Sequence, residues 1–261
     1  MPTALAALVL LVASMSCSAA WTESADLGEQ FRRAGVEGTF VVRDPRTGGM
    51  TGYNERRAST RFVPASTFKI ANTLIGLTLG AVKSVDEILE YGGQPQPVEA
   101  WEQDMSLREA IVKSNVAIYQ VLARRIGLAR MVDGVALLDY GNKDIGHVVD
   151  RFWLDGPLRI SAIEQTGFLA KLIARRLPVS ETAQVQTQTI LLREQGDGWA
   201  LWAKSGWENF PNEGVGWWVG WVRAGGLDYP FALNMDMEGA EAGPVREALA
   251  KSCLQALGLL P

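Results

Sequence analysis

The spacing of apolar and polar residues divides the chain into three stretches. In the first, Gly38–Asp44 with Thr39, Phe40, Val41 and Val42 reads as a strand. Pro45-Arg46-Thr47-Gly48-Gly49 is a turn, and Met50–Asn54 returns as the second strand of a hairpin. Arg56–Phe62 leads to a helix running to about Gly80, because Phe68, Ile70, Ala71, Leu74, Ile75 and Leu77 recur at helical spacing. Asp86–Gly93 is turn-rich, and Gln94–Glu99, with two prolines, is loop. In the helical middle, Ser106-x-x-Glu109 and Ser161-x-x-Glu164 are capping boxes. They predict helices over Leu107–Lys113 and from Ser161 to about Leu177, stopped at Pro178. Ser114-Asn115-Val116 interrupts the first of these. Helical spacing resumes over Ala117–Ile126, with Gly127 suited to the C′ position. Leu128–Leu138 is a short helix ended by Asp139-Tyr140-Gly141-Asn142, Phe152-Trp153-Leu154 is an apolar island, and Ser180–Glu194 is one more helix.

After the turn Gln195-Gly196-Asp197-Gly198 the period becomes two. Trp199–Lys204, Gly216–Val222 and Pro230–Met237 read as strands, and Gly243-Pro244 opens a last helix to about Leu257, with Pro at its first position. Sequential strands with short connections pair antiparallel. The expected fold is α/β of the α+β type: a central antiparallel sheet flanked by helices, the N-terminal hairpin at its edge, and an inserted all-helical lobe roughly over 81–180. A cleft between the lobes is the natural place for a site.

Composition narrows the function classes. A chain of 261 residues, 48% hydrophobic and with formal net charge −4, suits one globular domain without nucleic acid or an anionic membrane as partner. Residues 1–20 stand apart as an aliphatic run followed by Ser14-Met15-Ser16-Cys17-Ser18-Ala19-Ala20. This reads as a signal peptide cleaved after Ala20, with residues 21–261 as the exported domain, periplasmic and not membrane-bound. A lipoprotein signal with Cys17 as the modified residue is the alternative. Cleavage leaves Cys253 as the one cysteine, so no intrachain disulfide forms. Cys253 lies in an apolar helical pattern and reads as a small buried hydrophobe. His147 is the one histidine, which disfavours a Ser-His-Asp triad and a zinc site; no metal is expected.

Candidate chemistry then centres on Ser66-Thr67-Phe68-Lys69. A hydroxyl and an amine three positions apart lie one above the other on a helix face. Ser66 is placed in the first turn of a buried helix, where a lysine one turn on can serve as its base. Alone, the tetrapeptide equally describes an exposed serine and lysine on a surface helix. Ser114-Asn115-Val116, Tyr140-Gly141-Asn142 and Lys204-Ser205-Gly206 follow in order. S-x-x-K with downstream S-D-N and K-T-G elements marks serine β-lactamases and penicillin-binding proteins.

These motifs, with Phe152-Trp153-Leu154 and Lys204-Ser205-Gly206-Trp207 before Gly216-Trp217-Trp218-Val219-Gly220-Trp221-Val222, resemble the class D β-lactamases, the oxacillinases, from roughly Thr39 to the C-terminus. Ser205 departs from the commoner Lys-Thr-Gly, keeping the hydroxyl and losing a methyl. The Glu-x-x-Asn element by which class A relatives activate water is missing. The resemblance implies a lysine carboxylated by CO2 as the base, at Lys69. No other cofactor is implied. Phe68, Val116, Trp153 and Leu154 would form the pocket of that carbamate. It further implies Ser66 as nucleophile, the Ser66 and Trp207 N–H groups as oxyanion hole, and Ser114 with Lys204 passing a proton to the leaving nitrogen. Ser205, Gly206 and Arg246 would bind the substrate, Arg246 through its carboxylate. The substrate is then a β-lactam of the penicillin or oxacillin type, and the enzyme a monomer or homodimer.

Other readings stay open from sequence. Lys204 could be an edge-strand lysine, Trp153 core packing, and Tyr140-Gly141-Asn142 either a plain turn or a Tyr-x-Asn base as in class C. The tryptophan-rich strand reads as sheet core. A DD-peptidase of the penicillin-binding type, or a β-lactam sensor domain, shares the motifs and is acylated without turnover.

Overall fold

Strands and helices follow the hydrophobic pattern in the computed structural model, which describes residues 20–239 and 241–261. The predicted signal peptide, except Ala20, lies outside the described residues. The chain opens with β1 (Trp21–Glu23), α1 (Ala25–Ala34), β2 (Gly38–Arg43), β3 (Met50–Tyr53) and α2 (Glu55–Ser59). A 3-10 turn over Ala65–Phe68 runs into α3 (Lys69–Thr78). Then come β4 (Ile88–Leu89), β5 (Met105–Ser106), α4 (Leu107–Val112), α5 (Val116–Ile126), α6 (Leu128–Leu137), α7 (Ala162–Ile173) and α8 (Glu181–Leu191). The chain closes with β6 (Leu192–Gly196), β7 (Trp199–Trp207), β8 (Gly214–Ala224), β9 (Leu227–Met237) and α9 (Ala242–Ala256).

The main sheet has the order β1-β3-β2-β9-β8-β7-β6. The hairpin β2–β3 docks on β9 as the period-two pattern requires, with Phe40 opposite Leu233. One pair departs from the expected antiparallel sheet: β1 runs parallel to β3, with Trp21 opposite Met50. Helix α1 lies between them in sequence and supplies the return that a parallel pairing needs. A second departure is β6. Helix α8 ends at Leu191, and Leu192–Gly196 pairs with β7 instead of continuing the helix to Glu194. The hairpin partner across the Asp197-Gly198 turn decides this, because β7 offers a free ladder there. Helix α9 begins at Ala242, so Pro244 occupies its third position, not its first. Helix α7 stops at Ile173, short of Leu177. Both capping boxes form as predicted, at Ser106 and Ser161.

Alternation along the strands feeds two cores. Val41, Trp217, Val219 and Trp221 face the helices α3 to α8. Phe40, Val42, Trp218 and Val222 face α1 and α9, packing with Leu27, Phe31, Leu249 and Cys253. Each fully buried Leu, Ile or Phe contributes roughly 1.5–3 kcal/mol, so burial on both faces makes β8 and β9 the rigid floor of the molecule. The tryptophan-rich strand is therefore sheet core, as expected. Trp202 and Trp221 stack at 5.2 Å across β7 and β8. Among the described residues, no helix is long and apolar enough to cross a membrane.

The floor tolerates little extra volume. A Cβ at Gly220 would collide with the carbonyl of Trp202 on β7, an atom that cannot rotate away. Gly220→Ala is expected to lower stability by about 1–3 kcal/mol, read as a lower urea midpoint. An unchanged midpoint would show that the β7–β8 approach is looser than described.

Candidate active site

Ser66 sits on the 3-10 turn between Pro64 and α3. The preceding Ala65 has φ +47, a left-handed conformation that costs a non-glycine residue of order 1–3 kcal/mol. Three contacts hold it there. Trp217 on β8 donates its indole N–H to Val63 O at 2.8 Å. Thr67 Oγ1 donates to Pro64 O at 2.7 Å. Gln165 on α7 donates to Thr67 Oγ1 at 2.9 Å. The 3-10 turn replaces the expected first turn of an α-helix, and it still sets Lys69 one turn after Ser66. Lys69 Nζ and Ser66 Oγ are 2.6 Å apart.

Lys69 is fully buried. Burial without a carboxylate partner disfavours the charged amine, and pulls Lys69 from 10.5 down to about 7. Tyr119 on α5 lies under it, with its ring centroid 5.4 Å from Nζ and its hydroxyl 2.9 Å from Thr73 Oγ1.

The second serine comes from the break between α4 and α5. Ser114 has φ +53, and its N–H donates to Ile111 O at 3.3 Å. The neighbouring Asn115 is buried, caps α5 by accepting from Ile118 N at 3.2 Å, and donates to Trp101 O at 3.1 Å. Ser114 Oγ thereby meets Lys204 Nζ at 2.9 Å. Lys204 also donates to Ser205 O at 2.8 Å. Only 1% of Lys204 is exposed, and its ammonium nitrogen is held inside by Ser114 and Ser205, so it is not a solvent-facing edge-strand lysine. Burial first, and then the positive charges of Lys69, Arg193 and Arg246, hold its amine well below the usual lysine range.

Gly206 lets β7 approach the Ser66 turn. A Cβ there would lie 3.0 Å from Pro64 O and 3.1 Å from Thr67 Cγ2. Glu208 donates its N–H to Val215 O at 2.9 Å. Antiparallel ladders alternate, so Trp207 directs its own N–H away from β8. On that side β6 has already ended, since its last partner along β7 is Trp202. Arg246 on α9 donates to Gly206 O and to Gly243 O, and its guanidinium stacks 5.1 Å from the Trp207 ring. Burial lowers Arg246 to about 10, which leaves it cationic at neutral pH.

These groups border one cleft of about 960 Å³. Ser66, Ser114, Val116, Leu154, Ser205, Gly206, Trp207 and Arg246 line it. Lys69 and Lys204 stand behind the wall and reach it through the two serines. Phe68 and Trp153 lie deeper, stacked at 5.5 Å and both fully buried. The Trp153 indole N–H is buried without a hydrogen-bond partner among the described residues. Val116 and Leu154 are half-buried and border the cleft, whereas Phe68 and Trp153 are fully buried.

The remaining sequence candidates fall elsewhere. Gly141 has φ +55, and a Cβ there would collide with Arg159 O; Asn142 accepts from Arg159 N and donates to Pro157 O, each at 2.9 Å. Tyr140 is buried against Phe68 and Phe168. Tyr140-Gly141-Asn142 is thus a structural turn outside the cleft lining. His147 is exposed and does not line the cleft. Cys253 is buried, and desolvation pushes its thiol up to about 12. No cluster of His, Cys, Asp or Glu able to hold a metal occurs among the described residues. Sequence reasoning missed Tyr119, Gln165 and Trp217, whose roles arise from contacts far along the chain and carry no local signal.

Comparison with known proteins gives one answer. The family model of the penicillin binding protein transpeptidase domain matches residues 38–255. Beta-lactamase OXA-5 of Pseudomonas aeruginosa is 38% identical over 100% of this chain and 99% of its own length. Beta-lactamase OXA-48 of Klebsiella pneumoniae is 38% identical over 97% of each. The crystal structure of FUS-1 (OXA-85), a class D β-lactamase from Fusobacterium nucleatum subsp. polymorphum, superposes with TM-score 0.87 at 41% identity, covering 92% of this chain and 100% of that one.

The buried amine has a pH signature. Its folded-state value lies below its unfolded one, so the folded chain binds fewer protons between pH of about 7 and 10.5. Stability is full above that window, falls as pH drops through it, and carries the whole burial penalty below about 7. In CO2-free buffer, Lys69→Met is expected to raise the thermal midpoint, with a larger gain at pH of about 6 than at about 9. Equal gains at both pH values would show that Lys69 does not titrate in this range.

Proposed function

Because the chain belongs to the class D β-lactamase family, we propose that it hydrolyses the β-lactam ring of penicillins, oxacillin-type and related, through an acyl-enzyme on Ser66 with N-carboxylated Lys69 as general base. The observation that carries this reading is the 2.6 Å contact between Ser66 Oγ and a fully buried Lys69 Nζ. Residues 1–20 serve as the export signal and 21–261 as the periplasmic catalytic domain, with the helical lobe roughly over 81–180.

The Lys69 pocket suits carboxylation. An amine lowered to about 7 is substantially neutral at physiological pH, as reaction with CO2 requires. The unpartnered indole N–H of Trp153, packed on the residue before Lys69, is a buried donor fit for an added carboxylate oxygen. Carboxylated, Lys69 would supply an anionic base that an ammonium cannot.

Ser66 Oγ gives its proton toward Lys69 and attacks the lactam carbonyl. The N–H groups of Ser66 and Trp207 receive the developing oxyanion. The leaving ring nitrogen takes a proton from Ser114, resupplied by Lys204 at 2.9 Å. Ser205 and the Arg246 cation anchor the substrate carboxylate, with Lys204 adding positive potential. Water then releases the acyl group from the Lys69 side, next to half-buried Val116 and Leu154.

Turnover of a chromogenic cephalosporin with and without bicarbonate tests the proposal. Hydrolysis stimulated by bicarbonate is expected. Ser66→Ala should abolish acylation, a loss of roughly 10⁴-fold or more. Lys69→Ala should leave no bicarbonate-dependent activity. One stoichiometric burst without turnover, bicarbonate present, would instead indicate a penicillin-binding protein or sensor.

A further inference from the structure

A bulge in β6 takes one side chain out of the ladder. Leu192 pairs with Trp202 and Glu194 with Leu201, so Arg193 has no partner residue on β7. Bulges re-aim side chains and are frequent beside active sites. Here the half-buried Arg193 turns inward and donates from Nε to Ala203 O at 2.9 Å and from Nη2 to Ile111 O at 3.4 Å. The acidic groups nearby, Glu194 and Glu247, are both bound by Lys251.

The two carbonyls are not equivalent to other surface acceptors. Ala203 precedes Lys204 on β7. Ile111 O, at the end of α4, also receives the N–H of Ser114 at 3.3 Å. The guanidinium therefore spans the gap that Lys204 Nζ and Ser114 Oγ bridge at 2.9 Å. A planar donor fork with two fixed directions sets the separation of two backbone segments in a way a flexible ammonium does not.

We propose that Arg193 is a positioning residue that ties β7 to the end of α4 and so holds Lys204 against Ser114. Its effect on rate rests on the β-lactamase reading; its effect on geometry does not. Lys204 is faced by Lys69 from α3, Arg193 from β6 and Arg246 from α9, and all three cations disfavour its protonated form. Arg193 is itself faced by Glu247 from α9 and Tyr119 from α5.

The test compares Arg193→Ala, Arg193→Lys and Ser114→Ala with the unsubstituted protein. With a chromogenic cephalosporin, Arg193→Ala should slow the acylation step about ten- to a hundredfold, the range that misplacing a catalytic group costs. The dissociation constant of the noncovalent complex should stay within about twofold. Arg193→Lys, keeping the charge and one of the two holds, should fall between. In the Ser114→Ala background, Arg193→Ala should slow acylation by less than about twofold more, because the pair it positions is already broken. Wild-type acylation in Arg193→Ala, or equal losses in both backgrounds, overturns the proposal. Should Arg193→Ala fail to fold, wild-type acylation in Arg193→Lys overturns it. A crystal structure of either variant gives the answer independent of activity: the Lys204 Nζ to Ser114 Oγ contact should lengthen beyond hydrogen-bond range. An unchanged 2.9 Å sinks the positioning role even if the wild type never hydrolyses a β-lactam.

Discussion

Keeping a lysine amine dry beside a serine hydroxyl is the constraint on which the rest of this structure depends. Among the described residues Lys69 has no carboxylate partner, so the elements around it must exclude water and supply dispersion contacts instead. Phe68, Tyr119 and the middle helices meet that demand. The same desolvation that destabilises the charged amine makes the free amine available at neutral pH. In the proposed mechanism, stability is given up where reactivity is needed.

A second buried lysine increases the strain. Lys204 lies within the field of Lys69, and its own proton is further disfavoured by Arg193 and Arg246. Two neighbouring ammonium groups in a poorly solvated wall repel, so the site favours states in which at least one is neutral. Each lysine addresses a different serine, Lys69 through Ser66 and Lys204 through Ser114. Both serines sit beside or at left-handed backbone, at Ala65 and Ser114. That conformation is affordable because the flanking segments are pinned by Trp217, Gln165 and Asn115.

The sheet makes the geometry durable. Strands β8 and β9, buried on both faces, fix β7, and β7 presents Lys204, Ser205, Gly206 and Trp207 in register. Gly206 lets this strand touch the Ser66 turn closely, and Arg246 packs over Trp207 from α9. The cleft therefore joins a rigid wall to a helical wall, and the Lys204–Ser114 and Arg193–Ile111 contacts cross between them.

Period and capping were sufficient, from sequence, for the hairpin, the three closing strands, both capped helices and the short motifs that bear the hydroxyls and amines. These signals are local: a two-residue or 3.6-residue repeat, a serine three places before a glutamate, a glycine where backbones touch. The parallel pairing of β1, the strand β6 after α8, and the 3-10 form of the Ser66 turn were not legible, since each depends on which ladder edge or packing partner is available. The candidate site divides the same way. Ser66, Lys69, Ser114 and Lys204 can be named from the chain alone. That Lys69 is fully buried, that Lys204 meets Ser114, and that Arg193 leaves a bulge to bind two distant carbonyls are decided by tertiary structure. Burial and pairing across some ninety residues, as between Lys204 and Ser114, are properties of the packed core rather than of any segment.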